Sequence, residues 1–243
     1  TIWGGEFLRA GLREFKRAAH LQQVPMPGGS MAIKEPWRMA FAYLLQVFGD
    51  RALDLDWTRR RDSQKIAVLK KMVEKRVNSP LTSSMGRLFD AVSSLLSIRE
   101  TVNYEGQAAV ELEMAADPDG PEEYPFELRQ SRRPMIIDPS DMLRGILSDL
   151  TRGDSPARLS GKFHRTVARL VVETCKAIRL ESGLTRVVLS GGVFQNMLLL
   201  GLVMDGLRDA GFEVYTHHRV PTNDGGISLG QAVIAHMRCF QCV

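Results

Sequence analysis

Two glycine-rich turns near the C-terminus carry the residues best suited to chemistry. In the first turn, residues 190–196, two glycines follow an apolar run and precede a helical pattern. The second turn, residues 223–226, stands in the same position after the next apolar run. Glycine lets the backbone approach a ligand closely, and the N–H groups at a helix start attract anions such as phosphate. Taken alone, the first turn fits equally well a tight connection that binds nothing.

Asp224 stands at the mouth of the second turn. Its carboxylate could bind a metal ion, or it could cap the helix that follows. Aspartate is a preferred residue at helix N-caps, so the position alone favours the cap.

Two further Gly-Gly pairs lie near the N-terminus. Gly4-Gly5 precedes Glu6, whose carboxylate could accept hydrogen bonds from ribose hydroxyls, and Gly28-Gly29 follows a proline. Pairs that recur four times in one chain exceed what ordinary turns require. They predict a surface with several close backbone approaches, as a nucleotide cleft needs.

The elements that must position these turns follow from the spacing of apolar residues. Helical spacing predicts helices over residues 6–22, 36–49, 63–76, 84–97 and 105–115. The first of these helices would bury a face formed by Phe7, Leu8, Leu12 and Phe15. Residues 124–129 and 134–138 are predicted to pair as a β-hairpin, and helices over 139–151 and 156–180 follow.

The C-terminal part has the pattern of a βαβ unit. We predict a buried parallel strand at 186–190 and the next strand at 213–216. Helices are predicted at 195–210, ended by Gly211, and at 225–238. Both glycine turns would then leave the carboxyl ends of adjacent parallel strands, where α/β proteins bind ligands. The expected fold is therefore α/β with a large helical portion. It is expected to be one structural domain, with a mostly helical part (1–117) and an α/β core (118–243).

Composition and charge narrow the function classes. The net charge is +4, but basic and acidic residues are interleaved, so no nucleic-acid partner is expected. No apolar run approaches the roughly 18 residues of a membrane span.

Three cysteines are too few for a disulfide framework, which predicts a reducing, cytoplasmic compartment. Cys239 and Cys242 have metal-ligand spacing, but no second pair completes a zinc site, so an ordinary terminal segment is the favoured interpretation.

Other polar residues are weaker candidates. His164 lies among apolar residues and is interpreted first as a buried core or cleft histidine, while His217 and His218 could contact a substrate. Arg87 and Asp90, one helical turn apart, can pair with each other. Three residues near the second Gly-Gly pair could contact a phosphate or another small polar group of a substrate: Lys34, Glu35 and Arg38.

Seven sequence blocks together resemble one family. They are residues 4–8 (GGEFL), 27–29 (PGG), 35–38 (EPWR), 83–91 (SSMGRLFDA), 104–109 (YEGQAA), 190–196 (SGGVFQN) and 223–231 (NDGGISLGQ). These blocks are similar to the C-terminal part of the HypF carbamoyltransferases, which mature [NiFe]-hydrogenases. The resemblance runs through nearly the whole chain, and its two nine-residue blocks are the specific ones.

The resemblance implies the second lobe of a TsaD-like domain with the actin/hexokinase/Hsp70 ATPase fold. That family uses carbamoyl phosphate and ATP to form carbamoyl-adenylate and passes the carbamoyl group to the C-terminal cysteine of its partner HypE. The expected cofactors are ATP with Mg²⁺ and, in the complete protein, one divalent metal, Zn²⁺ or Fe²⁺.

The resemblance also assigns residues. It places Gly191, Gly192 and Asn196 at the nucleotide phosphates and Gly5, Glu6, Gly28 and Gly29 near the ribose and base. It makes Asp224 a metal ligand, which reverses the preference for a helix cap.

This sequence departs from the family pattern in its histidines. The family's other metal ligands include two histidines at His-x-x-x-His spacing in the preceding lobe, and none of the five histidines here has that spacing. The family's acylphosphatase-like, zinc-finger and YrdC-like domains have no counterpart in this sequence either. We therefore expect a fragment that is inactive alone and binds metal weakly or not at all.

Two alternatives to a carbamoyl-transfer lobe remain at this stage. One is a non-catalytic ATP-binding module that docks a partner such as HypE. The other is a relative that transfers a threonylcarbamoyl group to tRNA, which the interleaved charge and the two specific blocks disfavour.

Overall fold

A computed structural model describes residues 1–239 as a mixture of helices and short strands. The helices are α1 (Met31–Lys34), α2 (Pro36–Phe48), α3 (Asp56–Arg59), α4 (Ser63–Glu74), α5 (Met85–Leu95), α6 (Gln107–Met114), α7 (Ser140–Arg152), α8 (Pro156–Ser182), α9 (Met197–Asp209) and α10 (Ile227–Cys239). The strands are β1 (Glu6–Ala10), β2 (Phe15–Leu21), β3 (Val24–Pro25), β4 (Leu81–Thr82), β5 (Glu127–Arg129), β6 (Met135–Asp138), β7 (Arg186–Val188) and β8 (Glu213–Tyr215). No helix among these residues is long and apolar enough to cross a membrane.

The prediction of a helix over residues 6–22 is wrong. That segment is the antiparallel hairpin β1–β2, closed where the Gly11 N–H donates to the Glu14 carbonyl. The presumed buried stripe is outside, because Leu8, Leu12 and Phe15 are exposed. Apolar residues spaced three or four apart fit one helix face, but side chains on a strand alternate with period two, so the same residues form no buried stripe in a hairpin.

A four-stranded sheet joins distant parts of the chain in the order β1-β2-β6-β5. The predicted pairing of 124–129 with 134–138 is confirmed, since β5 and β6 are antiparallel. The β6 strand also pairs with β2 in parallel, with Ala19 opposite Met135. One large buried cluster extends from Leu21 to Phe212, drawing on both sides of residue 117. The division into a helical part and an α/β core remains a prediction.

The predicted βαβ unit is confirmed in its order and direction. Strands β7 and β8 are parallel, with Val187 opposite Val214, and α9 connects them. The expectation that the strand at 186–190 is buried is wrong, because Arg186 and Val188 are exposed. This sheet has only two strands, so within the described residues no further strand pairs with its edges, and part of its surface is exposed.

The cysteines that the structure describes are not paired with each other: Cys175 is buried and Cys239 is exposed. Burial raises the pKa of the Cys175 thiol to about 12, so this sulfur is an inert core group. Cys242 lies outside the described residues, and the spacing argument for Cys239 and Cys242 is untested.

A largely buried ion pair joins two residues one turn apart on α5. Arg87 and Asp90 on α5 approach to 2.9 Å, which confirms the predicted pairing. Burial raises the pKa of the Asp90 carboxyl from 3.8 to about 6; Arg87 opposes this effect and Glu105 adds to it. Desolvation therefore dominates over the ion pair in setting this pKa.

This raised pKa predicts a pH dependence of stability. Between about pH 4 and pH 6 the folded chain keeps a proton on Asp90 that the unfolded chain loses, so stability falls as pH rises through this window, by up to about 3 kcal/mol. Asp90→Asn should remove this fall. Urea unfolding at pH 4.5 and 7.5 measures the difference, with the exposed Asp209→Asn as control. An unchanged pH profile in Asp90→Asn would contradict the assignment.

Candidate phosphate-binding site

The two glycine turns of the βαβ unit lie against each other. The Gly191 N–H donates to the Thr222 carbonyl at 2.8 Å, and the Thr222 hydroxyl donates back to the Gly191 carbonyl at 3.2 Å. Because β7 and β8 are parallel, both turns stand at the same edge of the sheet. We refer to residues 190–196 and 222–226 together as the glycine-turn site.

The first turn is open on the side of its glycines. Gly191 has φ +109°, a conformation that favours glycine, and a Cβ placed there would meet no atom within 4 Å. A Cβ on Gly192 would come no closer than 3.8 Å to any neighbour. The short 3-10 turn Gly192–Gln195 begins here, and its first N–H groups have no partner inside it. Space and backbone donors therefore coincide, as an anion site requires.

The first N–H groups of α9 already have partners within the chain. The Asn196 Oδ1 accepts from the Leu199 N–H at 2.7 Å, and the Glu113 carboxylate accepts from the N–H groups of Met197 and Leu198. An anion at this helix N-terminus would have to displace Glu113, so its presence there remains a prediction. Glu113 lies on α6, more than 80 residues away along the chain, so local sequence patterns could not predict its contact with α9.

His164 forms a hydrogen bond with Asn196 at the end of the first glycine turn. The Asn196 amide nitrogen lies 2.9 Å from His164 Nε2, and His164 is fully buried on α8. Burial lowers the pKa of His164, against the opposing hydrogen bond to the Ser160 carbonyl, so the ring is neutral near pH 7. The interpretation of His164 as a buried core or cleft histidine is confirmed, and its link to the turn is new.

Asp224 opens the second turn but does not cap it. The residue that accepts the capping hydrogen bond is Asn223, whose Oδ1 accepts from the Gly225 N–H at 3.1 Å. Asp224 itself is exposed. Within residues 1–239, no three His, Cys, Asp or Glu side chains are grouped to hold a metal ion. One exposed carboxylate does not fit a zinc or iron site on its own, so a role as ligand stays a prediction.

The first N-terminal glycine pair is explained by packing inside the chain. A Cβ on Gly5 would lie 2.5 Å from the Ser83 carbonyl oxygen, too close to be tolerated. The Glu6 carboxylate accepts from the N–H groups of Gly4 and Gly5, from Arg17 and from the Ser83 hydroxyl. A ribose contact at Glu6 would have to replace one of these bonds and remains a prediction.

Replacing Glu6 tests this internal role. Glu6→Gln keeps the shape but removes the charge that four donors share, so we expect a loss of about 1–3 kcal/mol in the free energy of unfolding. Chemical denaturation measures the loss. The control is Glu14→Gln, an exposed glutamate in the same hairpin. Equal stability of the two variants would refute the structural role.

The second N-terminal pair forms a tight turn before α1. Gly28 and Gly29 have φ values of +91° and +54°, and the Gly28 N–H donates to the Asn78 carbonyl. Arg38 lies against Gly28: a Cβ placed on Gly28 would be 3.1 Å from the Arg38 Nη1 atom. Local geometry accounts for both glycines, and their placement near a base or ribose remains a prediction.

The predicted site residues thus fall into two groups. Gly5, Glu6, Gly28 and Gly29 all pack on the segment 78–85, and Gly191, Gly192, Asn196 and Asp224 belong to the glycine-turn site. Helix α5 begins beside the first group and passes the second, because the Phe89 ring lies edge-on to the His164 ring at 5.4 Å. Eleven helical residues span roughly 16 Å, so one helix contacts both groups over about that length.

The remaining candidates take distinct positions. His217 Nε2 lies 3.0 Å from the Ser190 hydroxyl, beside the glycine-turn site, while His218 contacts Thr216. Arg38 donates to Glu35, and both line an open groove of about 320 Å³ with Trp37. Their contact with carbamoyl or phosphate groups remains a prediction.

Comparison with known proteins places this geometry in a family. The family model for the carbamoyltransferase Kae1-like domain, second subdomain, matches residues 1–231. The carbamoyltransferase HypF of Synechocystis sp. is 35% identical over 247 residues, covering 95% of this chain and 31% of that protein. HypF2 of Cupriavidus necator is 35% identical, covering 97% and 32%.

Two solved structures of HypF proteins also match this chain. A crystal structure of full-length HypF in the phosphate- and nucleotide-bound form matches with a TM-score of 0.91 and 41% identity, covering 96% of this chain and 30% of that one. The T. kodakarensis HypF structure matches with a TM-score of 0.86 and 28% identity, covering 98% and 32%. The chain therefore spans about a third of the length of these relatives.

By fold, the chain is a second subdomain of the Kae1-like kind, which confirms the predicted mixed α/β class with a large helical portion. Within that class it belongs to the HypF carbamoyltransferase family.

Proposed function

We propose that this chain is the part of a carbamoyltransferase that holds ATP while a carbamoyl group passes from carbamoyl phosphate to the C-terminal cysteine of HypE. The observation that carries the proposal is the open Gly191-Gly192 turn, joined to Thr222 at the carboxyl edge of two parallel strands. Backbone N–H groups at such an edge suit phosphate oxygens. The proposed setting is hydrogenase maturation in the cytoplasm.

The chain's own residues would act by binding and orienting. In this proposal the N–H groups at the start of the Gly192–Gln195 turn face the phosphates, and Mg²⁺ accompanies ATP. His217, next to Ser190, stands where it could contact a substrate. Asp224 would supply one ligand to a Zn²⁺ or Fe²⁺ ion whose other ligands belong to a preceding lobe, so we propose that this chain alone is inactive.

A hybrid enzyme tests the activity. The chain replaces the matching part of the Synechocystis HypF, and ATP cleavage is measured with carbamoyl phosphate, with and without HypE. We expect HypE-dependent cleavage in the hybrid, and at least a tenfold lower rate in the same hybrid with Gly192→Val. A folded hybrid that shows no turnover, beside an active parent enzyme, would refute the catalytic role.

The second candidate is a docking module that binds ATP and HypE without catalysis. The lone carboxylate at Asp224 is the observation that favours it, because the described residues supply no companion ligand. A hybrid that binds HypE but does not cleave ATP supports this alternative. Metal content of the hybrid, compared with Asp224→Ala, tests the ligand role, and equal content would count against it.

A further inference from the structure

We infer that His164 is a positioning residue of the glycine-turn site: its imidazole fixes the orientation of the Asn196 amide and thereby the end of the first turn. The inference rests on the proposed function of that site. Nothing in the sequence near His164 points to this role, because 32 residues separate it from Asn196.

The tautomer of His164 follows from its partners. Nδ1 lies 2.8 Å from the Ser160 carbonyl oxygen, which can only accept a hydrogen bond, so Nδ1 carries the proton. In a neutral ring Nε2 then has a free lone pair and accepts. The Asn196 side chain must therefore turn its nitrogen toward His164, and the 2.9 Å separation fits that hydrogen bond.

This orientation decides what the other end of the amide does. With the nitrogen on His164, the Asn196 oxygen points to the Leu199 N–H and caps α9 at 2.7 Å. Without an acceptor at position 164, the buried Asn196 amide nitrogen has no partner in this orientation, and the side chain is free to turn away and satisfy that nitrogen elsewhere. The cap would be lost, and residues 190–196 would lose their fixed end.

The ring itself cannot turn away. His164 is fully buried, and the rings of Phe89 and Phe163 lie edge-on to it at 5.4 and 5.7 Å. The Ser160 hydroxyl donates to the Leu112 carbonyl, which ties the same turn of α8 to α6. Glu113, the next residue on α6, caps α9 from the other side. Residues of α5, α6 and α8 therefore hold the end of the first glycine turn, where α9 begins.

Removing the imidazole tests the inference in two ways. In His164→Leu we expect the Leu199 amide to exchange its hydrogen at least about tenfold faster and ATP to bind about three- to tenfold more weakly. The matched control is Thr174→Val, which removes another buried side-chain hydrogen bond from α8 away from the turn. It should leave both quantities unchanged relative to the parent, even if it unfolds at lower denaturant.

A double-mutant cycle separates positioning from general loss of stability. Asn196→Ala alone should weaken ATP binding, and His164→Leu in that background should weaken it no further. Additive effects, or unchanged Leu199 exchange in His164→Leu, would overturn the inference. If the parent binds no ATP in the hybrid enzyme, the proposed function fails, while the exchange measurement in the nucleotide-free protein still decides the role of His164.

Discussion

Gly192→Val is expected to abolish tight ATP binding while leaving the chain folded. A Cβ at this position meets nothing closer than 3.8 Å, and the residue does not need a positive φ, so valine fits the protein. The same open space is where a phosphate would approach the backbone, and a branched side chain fills it. We expect the dissociation constant for ATP to rise at least about 30-fold, which corresponds to about 2 kcal/mol. Isothermal titration measures it.

The matched control is Gly201→Val on α9. This glycine also has nothing within 4 Å of its missing Cβ, but it lies in the exposed middle of the helix and outside the turn. Gly201→Val should bind ATP like the parent. If the two variants bind equally well, the Gly191-Gly192 turn does not hold the phosphates.

Gly161→Ala is expected to be the most destabilising small change in the chain. Gly161 lies on α8, where a Cβ would come within 1.9 Å of the Asp117 carbonyl oxygen. That carbonyl cannot move aside freely, because the Asp117 N–H donates to the Ala157 carbonyl and Arg165 donates to the Asp117 oxygen. We expect a loss of about 2–4 kcal/mol in the free energy of unfolding, measured by urea denaturation.

Gly201→Ala provides the comparison for this effect. Both positions are interior to long helices, and alanine is the better helix former by about 1 kcal/mol, so a glycine without a packing role should be stabilised. Gly201→Ala is therefore expected to gain up to about 1 kcal/mol. A gain of the same sign in Gly161→Ala would show that the loop at Asp117 yields to the methyl group.

Local sequence patterns were sufficient for the βαβ unit and its turns. The strands β7 and β8 carry β-branched residues between glycines, and both glycine turns lie where the alternation of strands and helices places them. The Arg87–Asp90 pair also follows from spacing along one helix. These features depend on residues close together in the chain.

The β1–β2 hairpin and the residues that contact the start of α9 depend on parts of the chain that are far apart in sequence. For this reason they were not predicted. Residues 6–22 could satisfy a helical pattern, but β2 pairs with β6, and that partner is invisible in a local window. The same reason hides Glu113 and His164, which reach the start of α9 from α6 and α8. The internal partners of Glu6 are hidden for the same reason, because periodicity cannot place Arg17 and Ser83 beside it.

The parallel pairing of β2 with β6 also bears on how the chain is made. Ala19 meets Met135 only after 116 further residues have been synthesised. At about 5–20 residues per second, the ribosome needs roughly 6 to 23 s for that stretch. During this interval one edge of β2 has no strand beside it, and the side chains of Ala19 and Leu21, which are buried in the folded chain, have no β6 to pack beside. Nascent chains stalled before residue 135 should therefore recruit chaperones more strongly than those stalled after the helix that follows β6.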